Sequence, residues 1–230
     1  MIDIHCHILP GVDDGALDME TSIMMARIAA NDGIHTIIAT PHLTTATYPK
    51  EKLIQAVAHL NITLEKLDIP ITVLFGAEVQ AHIALKVADL YCLAEGSCLL
   101  VEFPHSYFPA DAVNLIQSLV NKSITPIIAH PERNIDIERE PWRLAPLLQI
   151  GAKTQITAAS LLGKLGMEAK NCAEYLLQNH QVHYIATDSH APGYREPVLS
   201  KAVKYAAKSI GYDQAQALVM APGILKSFPV

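Results

Sequence analysis

The sequence has little of what thiol, membrane or nucleic-acid chemistry requires. Its four cysteines, Cys6, Cys92, Cys98 and Cys172, stand far apart with no C-x-x-C pair, which excludes a redox dithiol and a cysteine-framed zinc site. Together with the lack of a charged and then apolar leader pattern, this predicts free thiols in a reducing cytoplasm. No apolar stretch approaches the roughly 20 residues that span a bilayer, so no membrane insertion is expected. Only 17% of the residues are charged, the net charge is −6 and no Lys/Arg stripe interrupts it, which argues against a nucleic-acid footprint. No linker, repeat or low-complexity tract divides the 230 residues, so one domain over 1–230 is expected, and no feature specifies an oligomeric state.

What the chain does contain is apolar material, 50% of its residues, in short β-branched runs that alternate with longer amphipathic segments. Buried parallel strands read as such runs. They predict strands at 1–7, 36–40, 71–77, 98–103, 125–130, 153–157 and 183–187. Helices are predicted at 18–32, 51–67, 111–121, 142–150, 160–179 and 196–209, with a short one near 213–219 and loop plus short helix over 82–97. Gly33 is expected to stop the first helix, Asp111 to cap the helix beginning at Ala112, and Pro41, Pro104 and Pro131 to end strands. Such alternation fits an open doubly wound sheet or a closed barrel.

Acidic and imidazole residues sit where these runs end. Met1-Ile2-Asp3-Ile4-His5-Cys6-His7-Ile8 places His5 and His7 on one strand face, with Ile2, Ile4, Cys6 and Ile8 expected on the other. His42, Glu78, Glu102, His130, Asp188 and His190 close later runs, and Asp13-Asp14 follows the first. A ring of strand ends suits this distribution better than a single crevice, which favours an incomplete or distorted barrel. Nitrogen and oxygen donors in this number favour borderline or hard divalent ions, Zn²⁺, Mn²⁺, Fe²⁺ or Mg²⁺, in a multinuclear cluster.

The ordered set His5-Cys6-His7, Asp14, Thr40-Pro41-His42, Gly76-Ala77-Glu78-Val79, Val101-Glu102-Phe103-Pro104, His130-Pro131-Glu132-Arg133-Asn134 and Asp188-Ser189-His190 resembles the motifs of the polymerase and histidinol phosphatase superfamily. More closely it resembles the bacterial manganese-dependent protein-tyrosine phosphatases of capsule and exopolysaccharide biosynthesis. The resemblance runs from residue 1 to about residue 195. It implies an α/β fold, a distorted (β/α)7 TIM-like barrel, with three divalent ions, Mn²⁺ first among them, at the strand ends. On this chain His5, His7, Glu78 and Asp188 would hold one ion. Glu78, as a bridge, would share a second with Glu102 and His130, and Asp14, His42 and His190 would hold the third. Asp14 rather than Asp13 matches the family position. Arg133 and Arg195 match positions that clamp a phosphoryl group, for which guanidinium forks are suited.

The implied activity is hydrolysis of phosphotyrosine on a bacterial tyrosine kinase, by in-line attack of a metal-bound hydroxide with no phosphoenzyme. Three divalent ions outweigh four carboxylates and one hydroxide by about one positive charge, which welcomes an anionic ester. A cysteine nucleophile would need an arginine six positions on; Val12, Cys98, Pro104 and Gln178 stand there, so that mechanism is excluded and Cys6 is read as a packing residue. His35, His59, His82, His105, His180 and His183 match no motif and are read as packing or surface, and Trp142 as core cover. Two departures from close relatives bear on substrate choice: Ala191-Pro192-Gly193-Tyr194 follows His190, and the loop Leu43–Tyr48 lacks basic residues. The alternatives are a small-molecule phosphatase, such as one for histidinol phosphate, and a non-catalytic, metal-stabilised docking module for the kinase.

Overall fold

The computed structural model describes residues 1–45 and 49–225, so Ala46, Thr47 and Tyr48 of the loop after His42 lie outside the described residues. In chain order the elements begin with β1 (Ile2–Cys6), α1 (Met19–Asn31), β2 (Thr36–Ala39), β3 (His42–Leu43) and α2 (Lys50–Lys66). There follow β4 (Thr72–Phe75), β5 (Glu78–Gln80), α3 (Ala81–Val87), β6 (Cys98–Glu102), α4 (Ala112–Asn121), β7 (Thr125–Ala129), α5 (Ile135–Arg139) and α6 (Ala145–Gln149). The chain ends with β8 (Lys153–Thr157), α7 (Ala158–Leu161), α8 (Met167–Gln178), β9 (Tyr184–Ala186), α9 (Ser200–Ile210) and α10 (Tyr212–Ala217).

All strand pairs are parallel, in the orders β1-β2-β4 and β3-β5-β6-β7-β8-β9. The two sheets are one ring interrupted twice. β2 runs into β3 across Thr40-Pro41, and β4 into β5 across Gly76-Ala77. On the other side the segment after β9 returns to β1: Asp188 N donates to His5 O at 2.8 Å and His7 N to Ser189 O at 2.9 Å. Among the described residues the result is a distorted barrel of seven strand positions built from nine short strands. The expected strands 36–40 and 71–77 are therefore each divided. Proline removes a ladder donor at the first break. At the second, a Cβ on Gly76 would stand 2.8 Å from Ile38 Cγ2 and 2.9 Å from Leu93 Cδ2, so only glycine permits that approach.

The apolar side chains fill two shells. Ile2, Ile4, Ile38, Leu100, Ile127 and Tyr184 fill the barrel lumen, with Ala221 and Ile224 packed against them. Ile37, Val73, Leu99, Val101, Ile128 and Ile185 face outward onto helix residues such as Met25, Leu60, Ile116 and Leu176. β1 changes face midway, because its register against β2 shifts between Asp3 and Cys6. Ile2 and Ile4 thus point into the lumen while Cys6 and Ile8 join the outer shell, which corrects the expectation of one shared face. A bulge re-aims side chains in this way.

Several helix boundaries also differ from expectation. Asp18 caps α1 by accepting from Thr21 N at 2.8 Å, and Gly33 follows at φ +85°. Asp111 precedes α4 but makes no capping hydrogen bond. The predicted helix 142–150 is a 3-10 turn at Pro141–Leu144 followed by α6, and Trp142 is 58% exposed rather than covering core. The predicted helix 160–179 is broken between α7 and α8, where Gly163 and Gly166 take φ +77° and +105°. α9 starts four residues later than predicted, where Asp32 at the end of α1 accepts from Leu199 N and Ser200 N at 2.7 and 2.8 Å.

Candidate metal centre

The strand ends deliver their polar side chains to one end of the barrel. Nε2 of His5 and Nε2 of His7 lie 3.2 Å apart. Both face Glu78 Oε2, at 3.3 and 3.5 Å, and Asp188 Oδ1, at 3.4 and 3.3 Å. Four donors around one ion with bonds of about 2.1 Å stand about 3.4 Å from one another in tetrahedral geometry. All four side chains are buried, and Glu78 Oε2 accepts no well-aligned hydrogen bond. A buried, unsatisfied carboxylate oxygen at the centre of converging imidazoles is what a cation would satisfy.

Glu78 also reaches outward, with Oε1 2.7 Å from His130 Nε2 and Oε2 2.9 Å from His42 Nδ1. Asp14 Oδ1 stands 3.4 Å from Nε2 of both His42 and His190, and His7 joins these three as a set of mutually close donors. Glu102 is divided between two such sets, one with His42 and Glu78 and one with His105 and His130. The structure thus brings all nine predicted ligand-type residues together, in overlapping groups of N and O donors that suit divalent ions. Of the expected trio Glu78, Glu102 and His130, Glu78 pairs directly with His130 and Glu102 stands in sets with each of the other two. His105, read as packing or surface, joins Glu102 and His130, 3.6 Å from Glu102 and edge-on to His130 at 5.2 Å. Its position just after Glu102-Phe103-Pro104 was the available signal.

Around these donors lies a second layer that fixes ring orientation, as metal-binding histidines require. Asp13, passed over in the sequence in favour of Asp14, holds His7 Nδ1 at 2.7 Å. The same carboxylate is set by His42 N at 2.9 Å and Gly15 N at 3.0 Å. Gln155 Oε1 holds His5 Nδ1 at 2.8 Å, and Asp188 O holds His190 Nδ1 at 3.0 Å. Two of the donors sit on left-handed backbone, His130 at φ +29° and Asp188 at φ +50°, a strain that recurs where geometry serves a site.

Both predicted clamp residues converge on one oxygen. Arg133 Nη1 and Arg195 Nη1 donate to Asp188 Oδ2 at 2.6 and 2.9 Å. Arg133 is carried on a firm turn: Asn134 caps α5 and donates to the carbonyls of Pro104 and Tyr107, while Glu132 accepts from Thr157 N at 2.8 Å. Asn134 and Glu132 thus position the loop that carries Arg133.

The charges are arranged in opposition. Burial works against ionised Glu78, but His5, His130 and His42 outweigh it and hold the carboxyl well below its usual range. Asp188 is likewise lowered, against burial, by His5, His7 and His130. Burial also opposes a charged His7, yet Asp13, Asp188 and Glu78 raise it well above 6.5. His190 goes the other way, to about 4, through burial and the neighbouring His7. Imidazoles and carboxylates that share protons so tightly are poised to exchange them for cations.

Known proteins similar to this chain include metal-dependent tyrosine phosphatases and their relatives. A Bacillus subtilis protein, tyrosine-protein phosphatase YwqE, is 42% identical over 196 residues, covering 83% of this chain and 77% of its own. Tyrosine-protein phosphatase CpsB of Streptococcus agalactiae serotype III is 27% identical over 99% of both chains. A solved structure from a study of YwqE and Streptococcus pneumoniae CpsB, described there as unique metal-dependent tyrosine phosphatases, superposes with a TM-score of 0.88 at 37% identity, covering 100% of this chain and 98% of that one. The lactonase Lmo2620 of Listeria monocytogenes, at 14% identity and a TM-score of 0.57, shares the fold alone. The family model for capsular polysaccharide synthesis proteins CpsB/CapC matches residues 1–224 and so takes in every residue of the cluster, from His5 to Arg195. By sequence and by fold, the chain belongs to the CpsB/CapC family of capsular polysaccharide synthesis.

Proposed function

We propose that this chain is a metal-dependent phosphotyrosine-protein phosphatase whose substrate is a bacterial tyrosine kinase that regulates capsular or exopolysaccharide synthesis. One observation carries the reading: His5, His7, Glu78 and Asp188 form a buried donor cage with two arginines fixed at its edge. In this reading the ligand sets are those the resemblance implies, with three divalent ions, Mn²⁺ first, and His105 beside Glu102 and His130. When bound, the ions supply Lewis acidity for the phosphoryl oxygens and a water activated near neutral pH.

The chain's own residues then bind and orient. Glu78, whose two oxygens stand close to His5, His42 and His130, would bridge two of the ions. Arg133 and Arg195 turn their guanidinium forks from Asp188 Oδ2 to the equatorial oxygens of the ester, where transition-state charge collects. Arg195 Nε is buried with no hydrogen-bond partner among the described residues, which leaves it a donor to offer. A tyrosine leaving group, with pKa about 10, needs less protonation than an aliphatic alcohol.

The test is a kcat/KM panel of phosphotyrosine peptide, histidinol phosphate and p-nitrophenyl phosphate after metal stripping and Mn²⁺ restoration. The peptide is expected to lead. A large preference for histidinol phosphate would replace this reading with a small-molecule phosphatase, and no turnover with any divalent ion would replace it with a docking module.

A further inference from the structure

A cavity of about 700 Å³ opens directly beside the metal centre, sharing Glu102 and His105 with it and running between α3 and the loop that leads into α4. It is large enough for a whole small ligand, so phosphotyrosine alone does not account for it. Leu85 and Tyr107 give the lining an apolar and an aromatic member, 38% and 54% exposed. Asp111 also lines it. As the residue before α4 it is placed to cap that helix, yet its side chain makes no capping bond, and the residue is part of the cavity lining. Among the described residues, no lysine or arginine lines the space.

We propose that this cavity is a specificity subsite for a lysine or arginine side chain flanking the phosphotyrosine of the substrate polypeptide. The inference rests on the proposed phosphotyrosine activity and adds to it a charge preference. Continuity with Glu102 and His105 places the occupant next to the ester. Asp111 supplies the one carboxylate of the lining that no ion site claims, and the Tyr107 ring offers a face on which a cation or its alkyl stem can rest. A glutamate in the same position would meet Asp111 with no lysine or arginine of the lining to compensate.

The experiment uses the Mn²⁺-loaded protein and two phosphotyrosine peptides that differ only in carrying lysine or glutamate on both sides of the phosphotyrosine. Each kcat/KM is divided by that for p-nitrophenyl phosphate on the same protein, which removes differences in folding or metal loading. The wild type is expected to favour the lysine peptide by up to about fivefold, the upper end of an exposed ion pair. Asp111→Asn should abolish the preference and Asp111→Lys should reverse it. Hydrolysis of both peptides with the same ratio in wild type and Asp111→Lys overturns the subsite alone. Hydrolysis of neither peptide, with turnover of histidinol phosphate, overturns the phosphotyrosine reading and the subsite with it.

Discussion

His7 and Asp13 are joined ring to carboxylate, Nδ1 to Oδ2 at 2.7 Å, and this bond fixes which edge of the imidazole faces Glu78 and Asp188. Loss of such an orienting partner costs a metal site about 10- to 100-fold in affinity. Asp13→Ala is therefore expected to weaken metal retention by that amount, read by chelator competition, while the fold persists. Retention equal to wild type would mean that the ring is set by other contacts.

The two arginines and the histidines of the cage separate binding of metal from binding of ester. His5→Ala removes a donor and should lower metal content and activity together. Arg133→Ala removes no donor; metal content should stay near wild type while kcat/KM for phosphate esters falls about a hundredfold, the scale of a lost transition-state donor. Elemental analysis beside steady-state kinetics reads both. Arg195→Ala is expected to behave like Arg133→Ala, because both guanidinium groups meet the same oxygen of Asp188.

Metal removal should reverse the pH dependence of stability. In the metal-free protein His7 is raised well above 6.5, so the folded state holds its proton more tightly; that stabilisation is complete below 6.5 and is lost as pH rises through the folded value. Asp13 is lowered from 3.8 to about 2, so its contribution is present above 3.8 and lost as pH falls toward 2. Asp3, buried and raised from 3.8 to about 6, favours the folded state less as pH climbs across that interval. The chelator-treated Tm should therefore be highest near pH 4 to 6 and fall toward pH 9. Divalent ions bind the deprotonated imidazoles, so the Tm increment from Mn²⁺ should grow over the same range. Parallel melting curves with and without metal would contradict the proton–metal exchange.

The seven strand positions were legible because strands buried on both faces leave continuous β-branched runs, as in Ile127-Ile128-Ala129. The breaks at Thr40-Pro41 and Gly76-Ala77 were not, since pairing resumes at His42 and Glu78 by contact with neighbours that the local pattern does not encode. Helix 160–179 was overextended because its apolar spacing continues across Gly163 and Gly166. In the site, strand-end residues announced themselves by position. Gln155 could not, because its role is a hydrogen bond to His5 from 150 residues away, and Asp13 could not, because its partner is the ring nitrogen on the far side of His7. Residues that act through another side chain leave no spacing signature.

Cys6 lies between two cage histidines in the sequence, and the structure keeps it out of the chemistry. Its side chain is fully buried in the outer shell with Ile8 and Ile37, on the opposite side of the β1 register shift from the lumen. Burial, followed by the nearby carboxylates of Asp3 and Asp188, pushes the thiol well above its usual range, so no thiolate is present at neutral pH. Cys6→Ala deletes one small buried group and should cost about 1 kcal/mol of stability through the cavity left behind. Metal-restored kcat for phosphotyrosine peptide should match wild type, and a thiol alkylating agent should leave the native wild-type protein active. Inactivation by the alkylating agent that Cys6→Ala prevents would return Cys6 to the reaction and would require the sulfur to turn from the outer shell into the donor cage.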